Sequence, residues 1–183
     1  MLRDAVELTF NRVTVDGDTS TNDTLYGLAN GASGVSASDE ESLKALSAAL
    51  TSVLGDLAYM LVKDGEGASK VARIHVAGAA SDADAERVAR TVGHSQLVKT
   101  ALYGRDANWG RIVAAVGRSG ADFNPDDVVV TLCGVELFRK GQPTDLDFDA
   151  LLEEPLKQRD LPIDIVLGFR FRQLYAARFR PRA

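Results

Sequence analysis

A single carboxylate between two glycines, Glu66, is the residue of this sequence best placed for chemistry. It lies in the string Asp64-Gly65-Glu66-Gly67, where the glycines permit a tight turn and let a ligand approach the backbone closely. The spacing therefore permits a ligand-binding role for Glu66. An ordinary surface turn would accept glutamate, lysine or serine equally well here, so the residue types by themselves favour a structural role.

A run of polar residues near the start of the chain, residues 15–24 (VDGDTSTNDT), could hold a cation or bond to itself. Asp, Asn, Ser and Thr side chains accept hydrogen bonds from nearby backbone N–H groups, and Gly17 permits a tight turn. The acids Asp16, Asp18 and Asp23 lack the spacing of a calcium-binding loop. We therefore predict a self-bonded loop and no metal site.

Other catalytic-looking patterns favour structural roles. Residues 65–70 are rich in glycine but lack the spacing of a phosphate-binding loop, and neither Ser33 nor Ser119 lies in a Gly-x-Ser-x-Gly motif. His75 falls in a predicted strand and His94 follows a helix-breaking glycine. Two separated histidines without neighbouring cysteines do not predict a zinc site.

The composition is typical of a globular protein, with 183 residues, a net charge of −5 and 45% hydrophobic residues. No uninterrupted apolar run approaches the length of a membrane span, and the N-terminus lacks the pattern of a signal peptide. Cys133 is the only cysteine, which excludes an internal disulfide. We therefore expect a cytoplasmic protein with no membrane partner.

The last fifteen residues, 169–183, have a different composition, with five arginines and no acidic residue. A basic tail often indicates nucleic-acid binding. The composition changes abruptly at one point, however, and we interpret this aberrant Arg-rich tail as an out-of-frame ending. We accordingly predict no nucleic-acid partner.

Capping signals and hydrophobic periodicity predict an α/β (mixed α+β) chain. The string Ser38-Asp39-Glu40-Glu41 predicts the start of a long helix that ends near Lys63. Its predicted buried stripe is Leu43, Leu46, Leu50, Val53, Leu54, Leu57 and Leu61. Strands are predicted at residues 10–16, 70–77, 128–133, 135–138 and 163–167, and further helices at residues 81–93, from 95, around Trp109 and at 146–152. We therefore predict that residues 1–118 belong to a main α/β domain and that residues 119–168 form a smaller C-terminal α/β subdomain.

Four long strings resemble segments of the ornithine acetyltransferase family, also called bifunctional glutamate N-acetyltransferase or ArgJ. They are FNRVTVDGDTSTNDT at residues 10–24, YMLVKDGEGASK at 59–70, LVKTALYGRDANWGRI at 97–112 and GRSGADF at 117–123. The resemblance covers about residues 2–168. It implies a layered sheet-and-helix domain of the ArgJ/DmpA type, in the C-terminal (β-chain) portion of the family's polypeptide.

The resemblance implies acetyl transfer from N-acetylornithine to glutamate in arginine biosynthesis. The family's precursor cuts itself before a Thr, which then carries the acetyl group as an ester. No external cofactor is implied, although some members accept acetyl-CoA as the acetyl donor. The implied partner is the α chain of the same precursor, in an α2β2 or larger assembly.

By position, Glu66 corresponds to the family's substrate-binding glutamate, whose charge would pair with a substrate ammonium. The resemblance implies that the nucleophilic Thr is absent, because Thr9, Thr14 and Thr19 are internal and the family's spacing places Met1 past the cleavage point. The chain then contains no catalytic residue, and by itself should be inactive. The alternatives are a non-catalytic subunit that needs a separate α portion, and a module that binds ornithine or arginine.

Overall fold

The computed structural model describes residues 1–168, which divide into two compact units, residues 1–66 and 67–168. Both helices and a sheet are present, so the predicted mixed α/β class is confirmed. The predicted domain boundary between residues 118 and 119 lies inside the second unit, and that division stays a prediction. The predicted aberrant tail, residues 169–183, lies outside the described residues.

The first unit is built from two α-helices, α1 (Leu2–Leu8) and α2 (Glu40–Lys63), with a 3₁₀ helix at Phe10–Arg12. The two α-helices pack against each other. Ala5 of α1 is buried, as are Leu54 and Ala58 of α2. The small alanine side chains allow the helices to approach closely.

The predicted strand at residues 10–16 is wrong. The chain forms the 3₁₀ helix there and continues without regular structure to residue 39, apart from turns and bends. A strand is stable only when its backbone N–H and C=O groups pair with a neighbouring strand. The described strands all belong to one sheet in the second unit, so this segment has no partner strand.

Helix α2 begins one residue later than the capping string suggested and ends where predicted. Asp39 is the N-cap, and its side chain accepts a hydrogen bond from the backbone N–H of Ser42 at 2.8 Å. This bond satisfies one of the N–H groups that the first turn of a helix leaves unpaired. The last helical residue is Lys63.

The Asp39 cap makes the stability of α2 depend on pH. The hydrogen bond from Ser42 holds the pKa of the Asp39 carboxyl below its ordinary value. A lowered pKa stabilises the folded state above the unfolded pKa, near 3.9, and this stabilisation is lost as the pH falls through the folded pKa. We expect Asp39→Asn, which keeps a capping oxygen, to retain the helix and flatten its pH dependence. Urea titrations followed by circular dichroism at 222 nm, repeated between pH 6 and pH 2, measure the free energy of unfolding at each pH. If this free energy falls equally with pH in the wild type and in Asp39→Asn, the prediction is contradicted.

The predicted buried stripe of α2 is largely exposed. Leu54 is buried, but the exposed fractions of Leu43, Leu46, Val53, Leu57 and Leu61 run from 38% to 56%. The short helix α1 is too small to cover a helix of 24 residues. By length and composition alone helix α2 could also cross a membrane, but core helices of globular proteins meet the same criterion, so the expectation of no membrane span stays a prediction. Its Asp56 and its serines and threonines suit a protein contact equally well.

The second unit is organised around a five-stranded sheet with the order β1-β5-β2-β3-β4. Strands β1 and β5 are parallel, and the other neighbours are antiparallel. Along β5 the residues Leu161, Ile163 and Ile165 alternate with more exposed ones and are fully buried. The strands are β1 (Val71–Ala77), β2 (Val129–Leu132), β3 (Val135–Arg139), β4 (Gln142–Pro143) and β5 (Asp160–Val166).

The described part of the second unit also contains two 3₁₀ helices, at Pro125–Asp127 and Pro155–Lys157, and four α-helices: α3 (Asp82–Gly93), α4 (Gln96–Tyr103), α5 (Trp109–Gly117) and α6 (Phe148–Leu152). Helix α3 packs on β1 and on α5, and α6 packs on β3. The predicted break after residue 93 is confirmed, since Ser95 caps α4 by accepting from the N–H of Val98 at 3.3 Å. The other predicted helices and strands of this unit are also confirmed, within a few residues at their ends.

Candidate functional site

Glu66 lies in the turn that follows α2. The turn starts with hydrogen bonds from the N–H of Asp64 to the carbonyl of Met60 (2.9 Å) and from the N–H of Gly65 to the carbonyl of Val62 (3.3 Å). Gly67 has a φ of +68°, in the left-handed region that side chains disfavour. The glycine is therefore required by the backbone, as the sequence suggested.

The Glu66 side chain is exposed, and it makes no hydrogen bond or ion pair within residues 1–168. The C-terminal end of a helix carries partial negative charge, and the neighbouring carboxylate of Asp64 adds to it. The nearest basic residue in sequence, Lys63, has its ammonium 6.0 Å from the centre of the Tyr59 ring. The end of α2 thus presents negative charge that suits a cationic ligand. The substrate-binding role of Glu66 stays a prediction.

The string Asp106–Trp109, prominent in the sequence, organises the start of α5. Asn108 caps this helix by accepting from the N–H of Arg111 at 3.1 Å, and its side-chain amide donates to Asp106 Oδ2 at 3.0 Å. The Arg111 guanidinium donates to the Leu97 carbonyl at 3.0 Å, which ties α5 to α4. These contacts make the motif a positioning device for the two helices.

Trp109 is an apolar anchor. Its ring stacks on Phe138 of β3, with 5.5 Å between the ring centroids and an angle of 21° between the planes. Both residues contact the core of the second unit. Offset stacking of this kind is a favourable aromatic geometry. Trp109 therefore joins α5 to the sheet.

The polar run at residues 15–24 bonds to itself, as predicted. The N–H of Asp18 donates to Asp16 Oδ1 at 2.8 Å, and Ser20 Oγ accepts from the N–H groups of Asn22 and Asp23 at 3.3 Å each. Gly17 has a φ of +97°. In the described part of the chain, the acids and histidines form no group of three or more that could hold a metal ion.

The two histidines have structural positions. His75 of β1 lies beside Asp164 of β5, with 3.3 Å between Nδ1 and Oδ1, as the parallel register of these strands requires. His94 terminates α3, and its backbone N–H donates to the Arg90 carbonyl at 2.8 Å. Neither arrangement resembles a nucleophile with its base.

The single cysteine is not poised as a nucleophile. Burial raises the pKa of the Cys133 thiol, and the positive charge of Lys70 offsets this only partly. The reactive species of cysteine is the thiolate, so a raised pKa makes the group inert near neutral pH. Cys133 adopts a φ of +50° in the turn between β2 and β3, which is a structural position.

The structure also contains a cationic cleft that sequence reasoning missed. The cleft has a volume of about 530 Å³, and three basic residues, Lys70, Arg105 and Lys157, line it. These residues come from three distant parts of the chain, so no local motif could have revealed the cleft. The complete lining is Ser69, Lys70, Tyr103, Gly104, Arg105 and Lys157.

Comparison with known proteins identifies relatives along most of the chain. The family model described as "ArgJ family" matches residues 1–176. The arginine biosynthesis bifunctional protein ArgJ of Nitratidesulfovibrio vulgaris is 76% identical over 165 residues, covering 90% of this chain and 42% of that protein. The mitochondrial ArgJ of Schizosaccharomyces pombe is 45% identical over 176 residues, covering 92% of this chain and 39% of that protein.

A solved structure agrees with these sequence relatives. The crystal structure of arginine biosynthesis bifunctional protein ArgJ from Bacillus halodurans superposes with a TM-score of 0.86 at 36% identity. The match covers 91% of this chain and 79% of that one. The chain spans about two fifths of the length of the curated relatives named above. By sequence and by fold, the chain belongs to the ArgJ family.

Proposed function

We propose that this chain forms one portion of an enzyme that transfers an acetyl group from N-acetylornithine to glutamate, in arginine biosynthesis. Membership of the ArgJ family supports the reaction class. The observation that carries the proposal is Glu66, an exposed carboxylate without a partner in the described chain, at the negative end of α2. Glu66 binds the ammonium group of the substrate by a charge-assisted hydrogen bond.

The transfer proceeds through two steps at a threonine hydroxyl. The hydroxyl oxygen attacks the acetyl carbonyl of N-acetylornithine, the carbon–nitrogen bond breaks, and the hydroxyl proton passes to the departing amine of ornithine. The neutral amine of glutamate then attacks the resulting ester, which forms N-acetylglutamate and restores the hydroxyl. An oxyanion hole holds the negative oxygen that develops in each step. Acetyl-CoA is an alternative acetyl donor, and the reaction needs no other cofactor.

In the family's precursor the threonine begins the β chain and the oxyanion donors come from the α portion, so we assign neither to a residue of this sequence. The exposed apolar face of α2, formed by Leu43, Leu46, Val53 and Leu57, supports such a partner. An exposed apolar surface of this kind is unfavourable in water and is typical of a protein interface. The full enzyme is an assembly of α and β portions, α2β2 or larger.

A chimera tests the function directly. The matching 165 residues of the Nitratidesulfovibrio vulgaris relative are replaced by this sequence, and acetyl transfer from N-acetylornithine to glutamate is measured. We expect the chimera to be active and the isolated 183-residue chain to be inactive. Acetyl transfer by the isolated chain would contradict the proposal that other polypeptide supplies the nucleophile and the oxyanion donors. A chimera that folds but is inactive would contradict the proposed function.

The role of Glu66 is tested in the same chimera. We expect Glu66→Gln to lower kcat/KM by about 10- to 100-fold, because the lost interaction is a hydrogen bond between charged groups. Asp64→Asn is the matched control, since it removes a carboxylate from the same turn, and it should keep at least half of the activity. Equal losses in the two variants would mean that the general charge of the turn matters and that Glu66 does not bind the substrate.

The second candidate function is a module that binds ornithine or arginine without catalysis. The same observation about Glu66 favours it, since binding needs only the carboxylate. Calorimetric titration of the isolated chain with ornithine separates the two functions. Saturable binding that Glu66→Gln abolishes, together with an inactive chimera, would favour the module, and the absence of heat would exclude it.

A further inference from the structure

The cationic cleft contains more hydrogen-bond donors than the protein itself uses. Beside the basic residues Lys70, Arg105 and Lys157, the hydroxyl-bearing residues Ser69 and Tyr103 line it. The cleft lies wholly within the second unit. Each of these side chains can donate a hydrogen bond to an anion.

Lys70 is held in place with one donor unused. Its ammonium donates to the backbone carbonyls of Leu156 at 2.6 Å and of Gln158 at 2.7 Å. An ammonium has three N–H groups, so these two bonds orient the third. Burial lowers the pKa of Lys70, and the neighbouring charge of Arg105 lowers it further. An anion in the cleft would relieve this repulsion between like charges.

Arg105 occupies an unusual backbone position at the end of α4. Its φ is +59°, in the left-handed region that side chains disfavour. Glycine adopts this conformation without steric cost, yet Gly104, the residue before it, has a φ of −74°. The N–H of Arg105 donates to the Leu102 carbonyl at 3.2 Å and that of Asp106 to the Ala101 carbonyl at 2.9 Å, which hold this conformation. Within residues 1–168 the guanidinium has no hydrogen bond or ion pair. The strained position thus presents an uncompensated cation.

Lys157 differs from the other two cations because it is already paired. Its ammonium lies 3.2 Å from Glu153 Oε1 and 2.6 Å from Glu154 Oε1. These hydrogen bonds raise the pKa of Lys157. The charge of Lys157 is therefore already compensated, and the available positive charge in the cleft is that of Arg105 and Lys70.

We propose that the cationic cleft binds a phosphate group, with Arg105 and Lys70 as the charged donors and the hydroxyls of Ser69 and Tyr103 completing the contacts. Donors converge from separate segments of the chain, which suits a phosphate with three acceptor oxygens better than a planar carboxylate. The phosphate belongs either to an acyl-carrying thioester such as coenzyme A or to free inorganic phosphate. The site is unlike a phosphate-binding loop, because side chains supply its donors. The inference does not depend on the proposed acetyl transfer.

Titration calorimetry on the full 183-residue chain tests the site, with inorganic phosphate, coenzyme A and coenzyme A lacking its 3′-phosphate as probes. The decisive variant is Arg105→Gly, which removes the cation and accommodates the positive φ. Lys140→Gly is the matched control, since Lys140 is also an exposed cation with a positive φ, of +53°, but lies outside the cleft. Arg105→Lys keeps the charge in a different shape.

We expect saturable phosphate binding that weakens about tenfold in Arg105→Gly, less in Arg105→Lys and not in Lys140→Gly. High salt should weaken it as well, because the contacts are ionic. If coenzyme A binds more tightly than its 3′-dephospho form, and Arg105→Gly abolishes this difference, the site is supported and its ligand is the 3′-phosphate of coenzyme A. If inorganic phosphate and coenzyme A bind with equal affinity, the site is also supported, and its ligand is free phosphate. Absence of binding, or equal weakening in Arg105→Gly and Lys140→Gly, would overturn the proposal.

Discussion

Replacing Ile163 with Ala is expected to lower the free energy of unfolding of the second unit by about 4 kcal/mol. Ile163 is fully buried in strand β5, which lies between β1 and β2 in the sheet. It is paired with Ile74 of β1 on one side and with Leu132 of β2 on the other. Removing most of its side chain leaves a cavity between elements that cannot all move inward, so the lost contacts are not recovered.

Urea unfolding of the 183-residue chain measures this effect. Trp109 is the only tryptophan and lies in the second unit, so its fluorescence reports on that unit. Ile163→Val removes one methylene and should cost about 1 kcal/mol. If Ile163→Ala lowers the free energy of unfolding by less than about 1 kcal/mol, then Ile163 of β5 is not tightly packed in the core.

Replacing Trp109 with Ala is expected to lower the free energy of unfolding by about 3 kcal/mol. The variant loses the stacking on Phe138, at 5.5 Å between the centroids, and the apolar contact of α5 with the sheet. Trp109 is partly exposed, so we place the loss at the low end for a large aromatic side chain. Circular dichroism follows the unfolding, since the variant lacks the fluorescent residue.

Trp109→Phe serves as the control because a phenylalanine ring can still stack on Phe138. We expect it to lose less than half of what Trp109→Ala loses. Equal stabilities of the wild type and Trp109→Ala would refute the anchoring role and would leave the cleft beside Trp109 as the reason for this residue. That cleft has a volume of about 270 Å³ and includes Asp106, Phe148 and Asp149.

Local signals in the sequence predicted the helices well. Asp39, Ser81, Ser95 and Asn108 each cap a helix by accepting a backbone N–H bond, and the sequence placed helix starts at or near all four. Caps are contacts between residues two or three positions apart, so they do not depend on the rest of the fold. The self-bonded loop at residues 15–24 was predictable for the same reason.

Contacts between distant residues were not predictable in this way. The alternation at residues 10–16 suggested a strand, but a strand forms only beside another strand, and the described chain offers none there. The stripe on α2 is present in the sequence, yet it stays largely exposed because α1 and the short 3₁₀ helix that contact α2 are too small to cover it. Periodicity indicates which face is apolar and does not say whether a partner is present.

The sequence by itself determined the family, through long strings that resemble ArgJ, and it singled out Glu66 and its glycines. The tertiary structure decided that Trp109 joins α5 to β3, and it brought Lys70, Arg105 and Lys157 to one cleft. The physical reason is the range of the interactions. Turns and caps are set by neighbours along the chain, whereas a cluster of like charges exists only once the sheet and helices have brought distant segments together.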